Sequence, residues 1–391
     1  MLLITAPGQG AQTPGFLAPW LELPGVTELL GTWSELAKCD LIAAGTTADA
    51  DQIRDTAVAQ PLLVAAGLAA AAALDDGDPA RLPADATAGH SVGELTAGVI
   101  AGVISADDAI RLVGVRGAAM AAATEVTPTG MTAILGGDEQ DVLAAIARHG
   151  LTPANINAAG QIVAAGTLDQ LAAFAADPPA GARLRPLPVA GAFHTAHMAP
   201  AVTALSDAAR NVTVKDQPVC KLISNADGTV VATGQQWLDR IIGQVAAPVR
   251  WDACMATMKA LGVTAFIELP PAGTLTGLAK RAIPGIELLA VKTPDQLAAA
   301  RELIDAHLTD AHLTDAQLTD TQLPAWRLIV APTSGTFRTK PAGLGAVVAR
   351  DGERAVSAPW PAEIIEWLVE DGDPVSAGQP LVRVHPAGEV A

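Results

Sequence analysis

Short apolar runs alternate with glycine- or proline-containing turns along most of the chain. Runs at residues 2–5, 86–88 and 265–269 have the length of buried strands, and each leads into such a turn. A longer apolar stretch at residues 57–68 has the length of a helix. Uninterrupted apolar strands are typical of parallel sheets that helices cover on both faces. The pattern therefore predicts an α/β fold built on a parallel sheet.

The order of the predicted elements changes between about residues 124 and 190. Two helix patterns alternate there with four strand patterns in the order β-α-β-β-α-β, which is the order of the ferredoxin-like fold. The strands are expected at residues 131–135, 154–157, 161–165 and 184–189, and the helices at residues 139–149 and 168–176. Because strand patterns of the first kind resume afterwards, we expect a small subdomain inserted into a larger one.

A repetitive segment predicts where the main domain ends. Residues 305–323 repeat a five-residue unit that begins as Asp-Ala-His-Leu-Thr. A period of five fits neither a helix nor a strand, and four units are few for a repeat solenoid. We therefore interpret residues 298–324 as a linker that follows a domain at residues 1–297.

The tail, residues 325–391, predicts a small all-β module of short strands and turns. Its run at residues 364–384 resembles the closing half of biotinyl/lipoyl-like domains. Those domains carry their cofactor on a lysine in a tight hairpin, and no such hairpin is found here. Lys340 is the single lysine of the tail, so we expect a docking or packing module.

Charge and cysteine content narrow the possible functions. A net charge of −17 and a pI near 4.7 argue against nucleic acid or an anionic membrane as partner, since both require a basic surface. The three cysteines lack the spacing of metal ligands or disulfides. The first residues lack the basic and apolar regions of a signal peptide. We expect a cytoplasmic protein without a metal or resident cofactor.

The sequence Gly89-His90-Ser91-Val92-Gly93 lies between a predicted strand and a predicted helix. A G-x-S-x-G segment in this position is typical of a nucleophile elbow, in which a sharp turn exposes the serine hydroxyl. The amides at the start of the following helix point to the same place. Ser91 is therefore a candidate nucleophile for acyl transfer.

A serine nucleophile needs a general base within hydrogen-bonding distance, and His194 is the best candidate. His90 adjoins Ser91 and cannot turn back to accept its proton. His194 lies beside apolar Phe193 and small residues, as at the edge of a pocket. Since no acidic residue is marked as a third member, a Ser–His pair oriented by a backbone carbonyl or an amide group is as plausible as a triad.

Arg111 and Arg116 lie five positions apart on one predicted helix. This spacing places them on different faces, so at most one of them faces a cleft. We expect Arg111 on the solvated face.

Several motifs together resemble one family, the malonyl-CoA:acyl carrier protein transacylases and the related acyltransferase domains of polyketide synthases. The matches occur in the family's order across about residues 1–297. They are the GQGxQ loop at residues 8–12, the GHSxGE elbow at 89–94, the RGxxM helix at 116–120, the N-x-N…Q…GT run at 155–167, the histidine segment at 191–195, Gln244 with residues 248–251, and Glu268 before the turn at 273–277.

This resemblance implies a hydrolase-like large subdomain and a Ser–His mechanism. Ser91 is implied as nucleophile and His194 as base and then acid. The backbone amides of Gln9 and Val92 are implied as the oxyanion hole, and the Gln244 carbonyl as the group that orients His194.

The resemblance also implies the substrates, malonyl-CoA and an acyl carrier protein. Arg116 is implied to bind the free malonyl carboxylate through a bidentate contact. Asn155 and Gln161 are implied as further substrate-binding residues, and Phe193 as favouring malonyl over larger acyl groups.

Three alternatives remain open from the sequence. The first is transfer of another acyl group such as methylmalonyl, which differs from malonyl by one methyl group. The second is a serine hydrolase or thioesterase of the α/β-hydrolase type, although that type expects the order Ser…Asp…His. The third is a scaffold without catalysis, whose tail recruits a partner.

Overall fold

A computed structural model describes residues 1–75, 77–189 and 191–307, and residues 327–330, 335–339, 346–349, 353–356, 362–375 and 380–386 of the tail. The chain divides into two compact units, Met1–His307 and Leu308–Ala391. All candidate catalytic residues lie in the first unit.

The first unit combines α-helices with ten strands in its described part. Its helices are α1 Val26–Ala37, α2 Leu41–Thr46, α3 Thr56–Leu74, α4 Gly93–Ile100, α5 Ala106–Thr124, α6 Glu139–Arg148, α7 Leu168–Ala176, α8 Ala199–Ala209, α9 Gly234–Gln244, α10 Trp251–Ala260, α11 Thr274–Ala282 and α12, residues 297–307. Its strands are β1 Leu2–Ala6, β2 Ala86–Gly89, β3 Thr129–Gly136, β4 Thr152–Ala158, β5 Gln161–Thr167, β6 Ala182–Pro186, β7 Lys221–Ile223, β8 Val249–Arg250, β9 Ala265–Glu268 and β10 Glu287–Ala290.

The larger subdomain is organised around a five-stranded parallel sheet in the order β10-β9-β1-β2-β7. All residues of β1, β2 and β9 are buried, as expected for strands covered on both faces. One face packs on α10 and α11 through residues such as Phe266, Met258 and Leu278. On the other side α4 contacts β1 and β2, and α3 packs against α4 and α5. The predicted α/β class is confirmed.

Helix α3 is apolar on nearly all of its faces, and other parts of the protein surround it. In the described part of the chain it is the one helix long and apolar enough to cross a membrane, and most of it is buried inside the protein. A helix that is hydrophobic on all faces fits the core of a large domain.

The smaller subdomain forms a separate sheet in the order β6-β3-β5-β4-β8. Neighbouring strands among the first four are antiparallel and, with α6 and α7, these strands have the ferredoxin-like arrangement that the sequence predicted. Ile134, Ile146, Ile162 and Phe174 fill the space between the sheet and its helices. The fifth strand, β8, pairs in parallel with β4 and comes from the chain of the larger subdomain. The two subdomains are therefore joined by strand pairing as well as by their chain connections.

Helix α12 corrects the predicted end of the main domain. Residues 298–307 were assigned to a linker, but they are helical and belong to the first unit. Ala300, Leu303 and Ile304 are buried, and Arg301 donates a hydrogen bond to the carbonyl of Ala73 in α3. The apolar face of α12 packs into the first unit, so the boundary of the main domain lies after residue 307. The rest of the repeat, like Lys340, lies outside the described residues.

The second unit is all-β in its described part. It contains β11 Arg327–Val330, β12 Gly335–Thr339, β13 Ala346–Ala349, β14 Glu353–Val356, β15 Ala362–Trp367, β16 Pro374–Val375 and β17 Pro380–Pro386. They form two antiparallel sheets, in the orders β11-β17-β15 and β14-β13-β12-β16. The likeness to biotinyl/lipoyl-like domains stays a prediction.

The packing of α12 predicts the outcome of two truncations. A chain ending at residue 307 retains the whole first unit, whereas a chain ending at residue 297 loses the buried Leu303 and Ile304. Each such side chain contributes about 1.5–3 kcal/mol when buried. The shorter chain should therefore be about 3–6 kcal/mol less stable, as measured by urea unfolding. Equal stability of the two chains would show that α12 adds nothing to the core.

Candidate active site

Ser91 lies in the sharp turn between β2 and α4. Its backbone φ is +51°, in the left-handed region that residues with side chains rarely adopt. A Cβ on Gly89 would lie 2.0 Å from the Gly93 backbone, and a Cβ on Gly93 would lie 2.3 Å from the Ala6 carbonyl oxygen. Only glycine fits at these two positions. The turn therefore projects the Ser91 side chain at the carboxyl end of the parallel sheet, as predicted for an elbow.

Asn225 braces this turn from the end of the neighbouring strand β7. Its Oδ1 accepts a hydrogen bond from the Ser91 amide at 2.7 Å, and its Nδ2 donates to the Gly89 carbonyl at 2.7 Å. Asn225 is completely buried. The sequence analysis missed this residue, although the polar pair Ser224-Asn225 directly after the apolar Leu222-Ile223 was an available signal.

His194 is hydrogen-bonded to Ser91, with 2.8 Å between His194 Nε2 and Ser91 Oγ. Its Nδ1 lies 2.8 Å from the backbone carbonyl oxygen of Gln244. Because a carbonyl can only accept, Nδ1 carries the proton and Nε2 is free to accept the Ser91 hydroxyl. The backbone carbonyl takes the place of an acidic third member, which is one of the two arrangements that the sequence left open.

Burial keeps the His194 imidazole neutral. The side chain is 4% exposed, and this desolvation, together with the charge of Arg116, lowers the pKa of His194 to about 3. An imidazole with such a pKa is in its basic form throughout the physiological range. His194 is therefore in the neutral form that a general base requires.

Arg116 is a buried cation beside this pair. The residue is 1% exposed, and its Nη2 lies 3.4 Å from Ser91 Oγ. Nη1 donates to Gln60 Oε1 at 2.5 Å and Nη2 to Gln244 Oε1 at 2.9 Å. Burial lowers the pKa of Arg116 to about 10, which leaves it protonated at neutral pH. Arg111, by contrast, pairs with Asp108 at the surface, as expected.

The partners of Arg116 are neutral amide oxygens. Among the described residues no carboxylate forms an ion pair with it. Amide oxygens orient a guanidinium without cancelling its charge. The site therefore has a positive charge close to its nucleophile that no described carboxylate contacts directly. The sequence analysis missed Gln60, whose signal was an amide inside an otherwise apolar helix pattern.

The two residues whose amides are expected to form an oxyanion hole line the same cavity. Val92 immediately precedes α4, and Gln9 lies in the glycine-flanked loop after β1. In the described part of the chain neither backbone N–H has a hydrogen-bond acceptor. The Gln9 side chain is fixed by Arg54 and Thr56, which anchors the loop.

A cavity of about 270 Å³ joins these residues between the two subdomains. The larger subdomain supplies Ser91 and His194, and the smaller one supplies Asn155 and Gln161. Gln161 also accepts a hydrogen bond from Arg281 at 3.1 Å. Gln9 and Val92 also line this space, with Met120 and Phe193 among its apolar lining. Arg116 and Gln244 are not among its described lining residues, and Arg116 reaches the site through its contact with Ser91 Oγ.

His90 has a different setting from His194. Its Nε2 lies 2.9 Å from Asn157 Oδ1, and its ring packs against Trp251. These contacts link the elbow to the small subdomain, and they agree with the conclusion that His90 is not the base.

Comparisons with known proteins agree with this geometry. Residues 33–314 match the family model of the acyl transferase domain. The malonyl CoA-acyl carrier protein transacylase of Mycobacterium tuberculosis (strain ATCC 25618 / H37Rv) is 52% identical over 297 residues, which are 76% of this chain and 98% of that protein. The protein of the same name from Escherichia coli (strain K12) is 36% identical over 304 residues, 76% of this chain and 97% of that protein.

Solved structures show the same relationship. The crystal structure of MCAT from Mycobacterium tuberculosis matches 76% of this chain and 98% of its own, with a TM-score of 0.73 and 52% identity. A malonyl-transacylase solved in complex with its type II polyketide synthase acyl-carrier protein matches 77% of this chain and 99% of its own, with a TM-score of 0.71 and 30% identity. The chain therefore belongs to the acyl transferase domain family, in the group of malonyl CoA-acyl carrier protein transacylases.

Proposed function

We propose that this protein transfers a malonyl group from coenzyme A to the phosphopantetheine thiol of an acyl carrier protein. The observation that carries the proposal is the buried Arg116, whose charge lacks a carboxylate partner 3.4 Å from Ser91 Oγ. A guanidinium placed in this way binds an acyl group that ends in a carboxylate. Malonyl is such a group, and the family relationship supports the same substrate and carrier.

The first half-reaction acylates the enzyme. Ser91 Oγ attacks the thioester carbonyl carbon while His194 Nε2 accepts the hydroxyl proton. The amides of Gln9 and Val92 donate to the oxyanion of the tetrahedral intermediate. The carbon–sulfur bond then breaks, and His194 returns its proton to the departing thiolate of coenzyme A. The product is a malonyl ester of Ser91.

The second half-reaction reverses these steps with a new thiol. The phosphopantetheine thiol of the carrier protein enters the cavity, and His194 removes its proton. The thiolate attacks the malonyl ester, and Ser91 leaves with the proton that His194 returns to it. Arg116 holds the malonyl carboxylate throughout. Asn155 and Gln161, on the wall formed by the small subdomain, are assigned to substrate binding.

The two other classes of function explain less of the site. A hydrolase of neutral esters gains nothing from a buried cation, whose desolvation costs several kcal/mol. A scaffold needs no histidine with its Nδ1 bonded to a carbonyl and its Nε2 bonded to a serine. The proposed reaction uses each of these groups.

The setting of the enzyme follows from the same proposal. The substrates supply the coenzyme A thioester and the phosphopantetheine, so we assign the chain no cofactor or metal of its own. We also assign it to the cytoplasm, which its three cysteines in free form and its buried helix α3 support.

The role of Ser91 can be tested directly. Incubation with malonyl-CoA, followed by intact-mass measurement, should show one added malonyl group. The Ser91→Ala variant should show none, because the hydroxyl that forms the ester is missing. An adduct that persists in Ser91→Ala would contradict the assignment.

The lowered pKa of His194 predicts an unusual pH dependence. Since the neutral imidazole is the active form, the rate should fall only as the pH drops through the pKa of the folded protein. The quantity to measure is the rate at which phenylmethanesulfonyl fluoride modifies Ser91. Protonation of His194 should not lower this rate between about pH 8 and pH 5. A half-maximal rate near pH 6.5 would show that His194 titrates normally.

The same measurement on Arg116→Ala provides a matched test. The charge of Arg116 contributes to the low pKa of His194. Its removal should therefore raise that pKa and move the acidic limb of the profile to higher pH.

Arg116 separates a malonyl transferase from a general acyltransferase. Arg116→Ala removes a buried, charge-assisted contact worth about 2–5 kcal/mol. Malonyl transfer should fall by about two decades or more, whereas acetyl transfer, which lacks the carboxylate, should be retained or improved. Both rates are measured by radiolabel transfer from the coenzyme A thioesters.

Arg116→Lys is the control for this change. It keeps a positive charge but loses the planar fork, so it should recover only part of the malonyl rate. An equal loss of malonyl and acetyl transfer in Arg116→Ala would make the arginine structural.

A further inference from the structure

Glu94 is a buried acid that the proposed reaction does not use. It lies in the first turn of α4, three positions after Ser91, and is 1% exposed. It is not among the residues that line the active-site cavity. A fully buried carboxyl group is costly unless it has a specific set of partners.

Two hydrogen bonds give one oxygen of Glu94 such partners. Its Oε2 accepts from Gln244 Nε2 at 2.5 Å and from the Asn225 backbone amide at 3.2 Å. The other side-chain atom of Gln244, Oε1, accepts from Arg116 Nη2 at 2.9 Å. Glu94 is thus connected to the substrate-binding cation through one amide group.

The donor and acceptor atoms in these contacts determine the orientation of the Gln244 side-chain amide. A side-chain amide has a donor at one end and an acceptor at the other, and the two ends have nearly the same shape. Glu94 Oε2, which also accepts from the Asn225 backbone amide, selects the orientation in which Gln244 Nε2 faces Glu94. The acceptor Oε1 must then face Arg116. In the reverse orientation the amide would direct N–H groups at a guanidinium, which only donates.

We propose that Glu94 is a positioning residue for acyl-group selection: it sets the orientation of the Gln244 amide and thereby fixes the Arg116 guanidinium for the malonyl carboxylate. The inference rests on the proposed function and adds a determinant of specificity outside the cavity. Glu94 acts through Gln244 and does not touch the acyl group.

The electrostatics of the site agree with this role. The negative charge of Glu94 favours the protonated form of Arg116 and opposes the lowering of the arginine pKa by burial. Burial raises the pKa of Glu94 itself to about 7, while its hydrogen bonds and the charge of Arg240 favour the carboxylate. The acid therefore supports the charged form of the arginine within one enclosed region.

A purely structural role makes a different prediction. Through Asn225, Glu94 also supports the elbow that carries Ser91. If that support were its whole role, a change at Glu94 would slow acylation by every acyl group alike. The ratio of malonyl to acetyl transfer distinguishes the two roles, because only malonyl uses Arg116.

The test is Glu94→Gln in the full-length enzyme, assayed as acylation of Ser91 by malonyl-CoA and by acetyl-CoA. The variant keeps the size of the side chain but no longer selects the orientation of Gln244. Malonyl acylation should fall about tenfold or more relative to acetyl acylation, in the range of coupled neighbours. Glu94→Asp, which keeps the charge, should restore part of the ratio. An unchanged ratio overturns the proposal.

Glu268→Gln is the matched control, because Glu268 is also a completely buried glutamate. It accepts hydrogen bonds from the backbone amides of Gly273, Leu275 and Thr276 at the start of α11 and has no contact with Arg116. This change should lower the melting temperature without changing the malonyl-to-acetyl ratio. A change of the ratio as large as in Glu94→Gln would overturn the proposal, since loss of any buried acid would then suffice.

Two further variants test whether the effect passes through Gln244 and Arg116. Gln244→Met keeps the backbone carbonyl for His194 but loses both side-chain contacts, so it should reproduce the lowered ratio even if Glu94→Gln fails to fold. In an Arg116→Ala background, Glu94→Gln should change the ratio no further. A further loss there overturns the proposal.

The wild-type enzyme is assayed in parallel, so that failure of this inference can be distinguished from failure of the proposed function. Wild-type protein that takes no malonyl group overturns both, whereas normal malonyl transfer with an unchanged ratio in Glu94→Gln overturns the inference alone.

Discussion

A guanidinium enclosed in protein is the constraint on which the active site depends. Removing the charge of Arg116 from water costs several kcal/mol, and the fold offsets this with amide oxygens from two separate helices, α3 and α9. Those oxygens leave the positive charge in place. Arg116 thus forms no ion pair with a described residue when the protein folds. A ligand with a carboxylate can form that ion pair when it binds.

The same charge acts on the general base. Burial, and after it the charge of Arg116, lowers the pKa of His194 and keeps the imidazole neutral. A bound carboxylate offsets part of that positive field, and the histidine then becomes a stronger base. In the proposed reaction, a malonyl thioester bound to Arg116 would therefore raise the basicity of the group that accepts the serine proton, and an acetyl thioester would not.

Local patterns in the sequence were sufficient to predict the main catalytic residues. They were insufficient to predict the residues that hold these in position. Ser91 lies in a turn whose glycines have a clear steric reason, and the spacing from Arg111 already limited how many arginines could face inward. Gln60 and Asn225 act through contacts with residues far away in the chain, which periodicity does not report. The end of the main domain was misplaced because the repeat after residue 305 obscured the helical spacing of the apolar residues in α12.

The pairing of β8 with β4 ties the geometry of the base to the position of the small subdomain. Gln244, whose carbonyl orients His194, ends α9, and the chain continues from there directly into β8 at Val249. A small subdomain that swings outward must either break this strand pair or pull on the segment that carries the carbonyl. The width of the cavity and the alignment of the proton acceptor are therefore mechanically coupled in this enzyme.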